Sequence, residues 1–182
     1  PAGITVDPEG KRVFVVDTGG VHSDRHRIVA LDVQTGKFLH AISRRGSKDG
    51  ELNLPRDATI GEDGNIYVVD GGNFRVQVFT QDGQFIRAFG GIGRRGGQFS
   101  RPKGIATDKS GNIYVADTAF GNFQIFNQSG QLLLAVGSRG SFAGPAKYML
   151  PAGLAIDEDG RIYMVDQFFR KIDVYRPASL DE

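Results

Sequence analysis

The sequence contains no cysteine and no tryptophan, and only two methionines and three histidines in 182 residues. Without cysteine there is no disulfide, thiolate nucleophile or thiolate metal site, although that absence selects no compartment. No apolar run approaches the roughly 18 residues of a membrane-spanning helix, and no segment has the order of a signal peptide. Helical periodicity is almost missing. A net charge of +1 gives no overall pull toward nucleic acid or an anionic surface. There is no HExxH, no nucleophile elbow and no Walker loop. The G-x-G-x-x-G at Gly91 to Gly96 leads into a strand rather than a helix, so it is not a dinucleotide site.

What the chain does have is glycine, 26 residues of it, placed mostly at predicted turns between short apolar runs. The stretch from Pro55 to Arg101 sets the pattern. An apolar strand through Ala58 to Ile60 precedes an Asp63-Gly64 turn, and Ile66 to Val69 forms a second strand closed by Asp70. Arg75 to Phe79 is a third strand, Asp82-Gly83 a second turn, and Phe85 to Phe89 a fourth strand. Asp-Gly between apolar runs predicts a two-residue type I′ hairpin with both central residues at positive φ.

The unit recurs from Pro1, Pro55, Pro102 and Pro151, and its second strands end at Asp17, Asp70, Asp117 and Asp166. Four-stranded units at this period are the mark of a β-propeller, an all-β fold whose blades stack to bury apolar faces. The blades are placed at 1–43, 55–90, 102–137 and 151–176. Ile66 to Val69 and Ile162 to Val165 are apolar at consecutive positions, which predicts strands covered on both faces.

The elements P-x-G-I-A-x-D, G-N-I-Y-V-A-D and G-x-F-x-x-P resemble the NHL repeat over all four copies, best at residues 55–126, in a bacterial style. The resemblance implies a six-bladed propeller. Related repeats serve as RNA- or protein-binding heads, as sensor domains and as an amidating lyase, so fold leaves function open. The fourth copy ends without an outer strand, with Pro177 barring a continued ladder. The expectation is that the missing blades come from upstream sequence or another chain, a complete four-bladed ring being the weaker alternative. The compartment stays open, with periplasm or extracellular space favoured for a bacterial chain.

In such a meander, loops between strands two and three and loops between blades share one face, here called the top. The inter-blade loops carry ten cations: Arg44, Arg45, Lys48, Arg56, Arg94, Arg95, Arg101, Lys103, Arg139 and Lys147. They carry only two carboxylates, Asp49 and Glu51. The bottom turns lean acidic through Glu9, Glu62, Asp63, Asp82, Glu158 and Asp159. The first reading is therefore a non-enzymatic scaffold binding a protein partner through Arg44, Arg45, Arg94, Arg95, Arg101, Lys103 and Arg139. The second is RNA or another polyanion on the same face, with Phe99 and Phe74 or Phe120 stacking on bases. The third is a metal-dependent lyase or hydrolase of the amidating type, with a metal in the channel. That family uses histidines from several blades, whereas His22, His26 and His40 all belong to the first copy.

Within that copy, five extra residues follow Asp17, and His22, Asp24 and His26 form a weak metal candidate that reads more simply as a solvated loop. No cofactor is expected beyond a possible structural ion. The four repeated aspartates read as staples, through ion pairs such as Asp70–Arg75 and Asp166–Lys171, rather than as a catalytic ring. In the loop before Pro151, Phe142, Tyr148 and Met149 are expected to tuck beneath the surface.

Overall fold

The computed structural model describes residues 1–176. Blade 1 comprises β1 (Ile4–Val6), β2 (Arg12–Asp17), β3 (Arg27–Asp32) and β4 (Phe38–Ile42). Blade 2 comprises β5 (Pro55–Ile60), β6 (Ile66–Asp70), β7 (Arg75–Phe79) and β8 (Phe85–Gly90). Blade 3 comprises β9 (Pro102–Thr107), β10 (Ile113–Asp117), β11 (Asn122–Phe126) and β12 (Leu132–Val136). Two short parallel strands, β13 (Ser138–Arg139) and β14 (Lys147–Tyr148), close the next loop. Blade 4 comprises β15 (Pro151–Ile156), β16 (Ile162–Asp166) and β17 (Lys171–Tyr175). Each blade is an antiparallel meander in chain order, four-stranded in the first three blades and three-stranded in the fourth among the described residues. The predicted stop at Pro177 lies outside them.

The first strands of successive blades lie side by side, β1 on β5, β5 on β9 and β9 on β15. Stacking creates three apolar seams. Phe14, Ile28 and Leu52 meet Ile66, Val68 and Phe79 between blades 1 and 2. Tyr67, Val69 and Val76 meet Phe99, Ile113 and Phe126 in the next. Tyr114, Phe123 and Tyr148 meet Met164 in the third. Because side chains alternate along a strand, Ile66 and Val68 enter one seam while Tyr67 and Val69 enter the next. This is why β6 and β10 are buried at every position. The expectation of two covered faces does not extend to blade 4. There Met164 is buried, but Ile172 and Val174 on the opposite face are 61% and 50% exposed.

The hairpins differ from the predicted type I′ form. Five residues, 61–65 and 80–84, separate the paired strands, and only the glycine is left-handed, at φ 74° for Gly64 and 96° for Gly83. The Asp63 carboxylate accepts the Asn65 amide at 3.1 Å and the Tyr67 hydroxyl at 2.8 Å, an Asx-type arrangement that leaves Asp63 itself at negative φ.

Candidate functional site

The top loops are tied down by a device repeated from blade to blade. Each loop closes with a parallel bridge: Arg45 to Leu52, Ile92 to Phe99 and Arg139 to Tyr148. Leu52, Phe99 and Tyr148 are each fully buried, so every loop plugs one apolar side chain into a seam. Behind the first two loops stands a buried glutamine. Gln77 accepts the Gly50 amide at 2.9 Å and donates to the Glu51 carbonyl at 2.6 Å; Gln124 does the same with Gly97 and Gln98, both at 2.8 Å. Asp173 takes the place of glutamine in blade 4, accepting the Ala146 amide at 3.3 Å.

The repeated aspartates are staples, by a route broader than ion pairing. Asp117 accepts four backbone N–H groups, from Ser100, Arg101, Ala119 and Phe120, and Asp166 four from Met149, Leu150, Phe168 and Phe169. The predicted Asp70–Arg75 pair forms at 3.0 Å, and Asp17 pairs with Arg27 at 3.1 Å. The predicted Asp166–Lys171 pair does not form. With its carboxylate saturated by amides, Asp166 leaves Lys171 to bind the Gly144 carbonyl at 2.6 Å and Asp173 at 2.8 Å.

On this frame the rim cations are presented without neutralisation. Of the ten, only Arg44 has a carboxylate within salt-bridge reach among the described residues, Glu51 at 3.1 Å. Asp49 is occupied by Arg75 at 3.0 Å. Arg45 reaches the Ser23 carbonyl and Arg139 the Ala119 carbonyl, neither of which cancels charge. Arg94 and Arg95 edge a depression of about 280 Å³ that continues over Phe120, Asn122 and Ser138. It exists because Asn122 stands where Arg75 and Lys171 stand in the neighbouring blades. Arg75 fills its own blade's counterpart with a guanidinium bound to the Ser47, Lys48 and Glu51 carbonyls. Asn122 is too short to do so, and its Oδ1 is buried without a partner.

A second asymmetry lies at the axis. The two residues after the blade-opening proline are Ala-Gly in blades 1 and 4, but Arg56-Asp57 in blade 2 and Lys103-Gly104 in blade 3. Asp57 shares a cavity of about 400 Å³ with Ala2, Arg56, Lys103, Ala152 and Gln167. Its carboxylate accepts the Ala58 amide at 3.0 Å and the Ile105 amide at 3.2 Å and forms no ion pair with either cation. A Cβ on Gly3 would come within 2.3 Å of it, so glycine in the adjoining strand makes its room. Burial pushes Asp57 up to about 6 against the pull of the two amides.

A raised carboxylate pKa stabilises the fold fully below the unfolded value near 4, and that contribution is lost as pH rises through about 6. Asp57→Asn is therefore expected to be the more stable protein at pH 8 by about 1–2 kcal/mol, the excess vanishing toward pH 4. Denaturant melts of both proteins across that range check this; a difference independent of pH would show that Asp57 is not buried as described.

The structure does not assemble the histidines. His26 is fully buried with both ring nitrogens committed, Nε2 to the Gly20 carbonyl at 3.0 Å and Nδ1 accepting the Leu54 amide at 3.2 Å. His22 and Asp24 stay on the loop, and no group of three metal-ligating side chains occurs among the described residues. His40 lies on β4, bound to the Gln81 carbonyl at 2.9 Å. Phe99 is a core residue, not a stacking platform, and Phe74 packs half-buried on the same seam. Tyr148 tucks in as expected, but Phe142 is 85% exposed.

Comparison with known proteins agrees with this architecture. The family model of the NHL repeat matches residues 52–79, and that of a six-bladed beta-propeller family, DUF5128, matches residues 110–181. Over 52 residues the chain is 38% identical to the human E3 ubiquitin-protein ligase TRIM32, a match spanning 29% of this chain and 8% of that protein. Among solved structures, a protein of unknown function from Bacteroides thetaiotaomicron superposes with a TM-score of 0.75 at 17% identity, over 96% of this chain and 46% of its own. A chain of a nidogen–laminin complex gives 0.69 at 20% identity, over 97% and 64%. Virginiamycin B lyase from Staphylococcus aureus gives 0.63 at 15% identity, over 99% and 56%. At these identities the solved structures share the fold alone, and the chain spans about half the length of most of them. No helix among the described residues is long and apolar enough to cross a membrane. The recurring blade and the two family matches agree: the chain is a β-propeller that carries the NHL repeat.

Proposed function

We propose that the protein is a non-enzymatic scaffold that binds an acidic protein partner through the rim of its top face. The observation that carries this reading is a set of rim cations left without carboxylates on loops fixed by buried side chains. Rigid loops lose little freedom on binding, and unneutralised charge steers an oppositely charged surface into register. Similar sequence occurs in a human E3 ubiquitin-protein ligase and a similar fold in a nidogen–laminin complex, which fits a binding role without naming the partner. The polyanion reading keeps its charge but loses Phe99 as a stacking surface. For the lyase reading, the fold is shared with virginiamycin B lyase, yet the three histidines here all belong to blade 1, with His26 held by Gly20 and Leu54 and His40 by Gln81.

The test is quantitative capture from source lysate by the protein and by Arg94→Glu/Arg95→Glu/Arg139→Glu. A discrete acidic protein, retained by the first and reduced about tenfold by the second, is the expected result, a change equivalent to about 1.4 kcal/mol. Nucleic acid lost on reversal and on raising salt would replace this reading with the polyanion one. Equal retention by both proteins would show that the rim is not the working surface.

A further inference from the structure

Three of the ten top-face cations, Arg56, Arg101 and Lys103, converge at the axis rather than on the outer loops. Arg56, Arg101, Pro102, Lys103, Thr118, Leu150 and Gln167 enclose a cavity of about 260 Å³ at the channel mouth. Its three cations come from blades 2 and 3 and from the loop between them, at positions where the repeat otherwise has small or apolar residues. Ala2 and Ala152 correspond to Arg56 and Lys103, and Leu54 and Leu150 correspond to Arg101. A repeated residue answers to the fold, whereas a departure confined to two adjacent blades marks one place on the ring.

None of the three cations has a carboxylate within salt-bridge reach among the described residues. Lys103 Nζ meets only the neutral Gln167 Oε1, at 3.0 Å, which leaves the Gln167 Nε2 donor available. Asp57, in the adjoining cavity, is held by backbone amides. Gly71 makes room for the Arg56 stem, since a Cβ there would stand 2.8 Å from Arg56 Cγ. The remaining wall is Pro102, Leu150 and Thr118, whose hydroxyl is occupied by the Pro151 carbonyl at 2.8 Å. Convergent cationic donors, Arg56 and Arg101 exposed and Lys103 half-buried, against an otherwise unreactive wall form a site for a compact anion that several charge-assisted hydrogen bonds can share. Its volume lies just below the range of drug-sized ligand pockets, which suits a small ligand.

We infer that the channel mouth binds a small molecule through one oxyanion group, phosphate or carboxylate, held by Arg56, Arg101, Lys103 and the Gln167 amide. Arg56, Arg101 and Lys103 are thereby assigned to the channel mouth and the other seven top-face cations to the rim, so the two readings are tested by different variants.

The experiment is calorimetric titration of the whole chain at low ionic strength, using inorganic phosphate and succinate as probes of the two anion types. Arg56→Ala/Lys103→Ala is the diagnostic variant. Alanine is what blades 1 and 4 already carry at these positions, so the fold tolerates it. Arg94→Ala/Arg95→Ala is the control. The expected result is saturable binding of one probe, weakened about tenfold or more in the channel variant and unchanged in the rim variant. No saturable binding of either probe, or equal binding by the channel variant, would overturn the inference. Equal weakening by the rim variant would also overturn it, by assigning the anion to diffuse surface charge.

Discussion

Asp70→Ala is expected to destabilise the protein by about 3–5 kcal/mol, the range for stripping one partner from a buried charge network. The Asp70 carboxylate is fully buried and accepts the Asn53 amide at 2.6 Å, Asn73 Nδ2 at 2.8 Å, Gln77 Nε2 at 2.9 Å and Arg75 Nε at 3.0 Å. Burial raises its pKa in spite of those donors. Alanine would take the shared acceptor from four donors, leaving the Asn53 amide and Arg75 Nε without a partner, and would remove the buried counter-charge of Arg75, whose side chain is only 15% exposed and keeps Asp49 and the loop carbonyls. The effect reaches the rim, because Arg75 and Gln77 also hold the loop carbonyls of Lys48 and Glu51. Asp17→Ala is the internal comparison. Its carboxylate is 27% exposed and bonds Arg27 alone, so about 1 kcal/mol is expected. Denaturant melts check both; equal losses would show that the Asp70 network is not the staple described.

Phe99→Ala is expected to cost about 3–5 kcal/mol, as for other large-to-small changes of a buried aromatic. Phe99 is fully buried in the seam between blades 2 and 3, 5.7 Å from the Phe126 ring centroid. It packs so closely on Gly90 that a Cβ there would lie 2.5 Å from the ring. A residue that stacked on bases would instead lose ligand and leave the melting curve unmoved. The thermal midpoint of the variant separates the two roles.

Much of this fold was legible in the sequence because a propeller repeats its physics. The opening proline, the turn glycine and the Asp at the end of the second strand recur at nearly constant spacing, and strands read as apolar on both faces are those between two seams. Blade 4 departed because burial depends on a neighbour, not on its own residues. The hairpins departed because a carboxylate accepting its own turn amide, as Asp63 does, removes the need for a second left-handed residue. His26 could not be placed from sequence, since its burial comes from a long loop folding back onto Leu54.

The site was only half legible. The rim charges are visible in the inter-blade composition, but the glutamines behind them look like ordinary polar interruptions of a strand. Their signal was Gln77 and Gln124 recurring one blade apart at the third position of the third strand. Asp57 was likewise visible only against Gly3, Gly104 and Gly153, as the one break in a column of glycines.

The most direct measurement of the central claim is amide hydrogen exchange of the protein with and without its captured partner. Exchange reports local opening residue by residue, so it maps a footprint without any substitution. Added protection over residues 91–99 and 138–147, with the bottom turns at 61–65 and 108–112 unchanged, is the predicted result. Protection confined to the bottom turns or to the outer strands would contradict the assignment of the top face as the working surface.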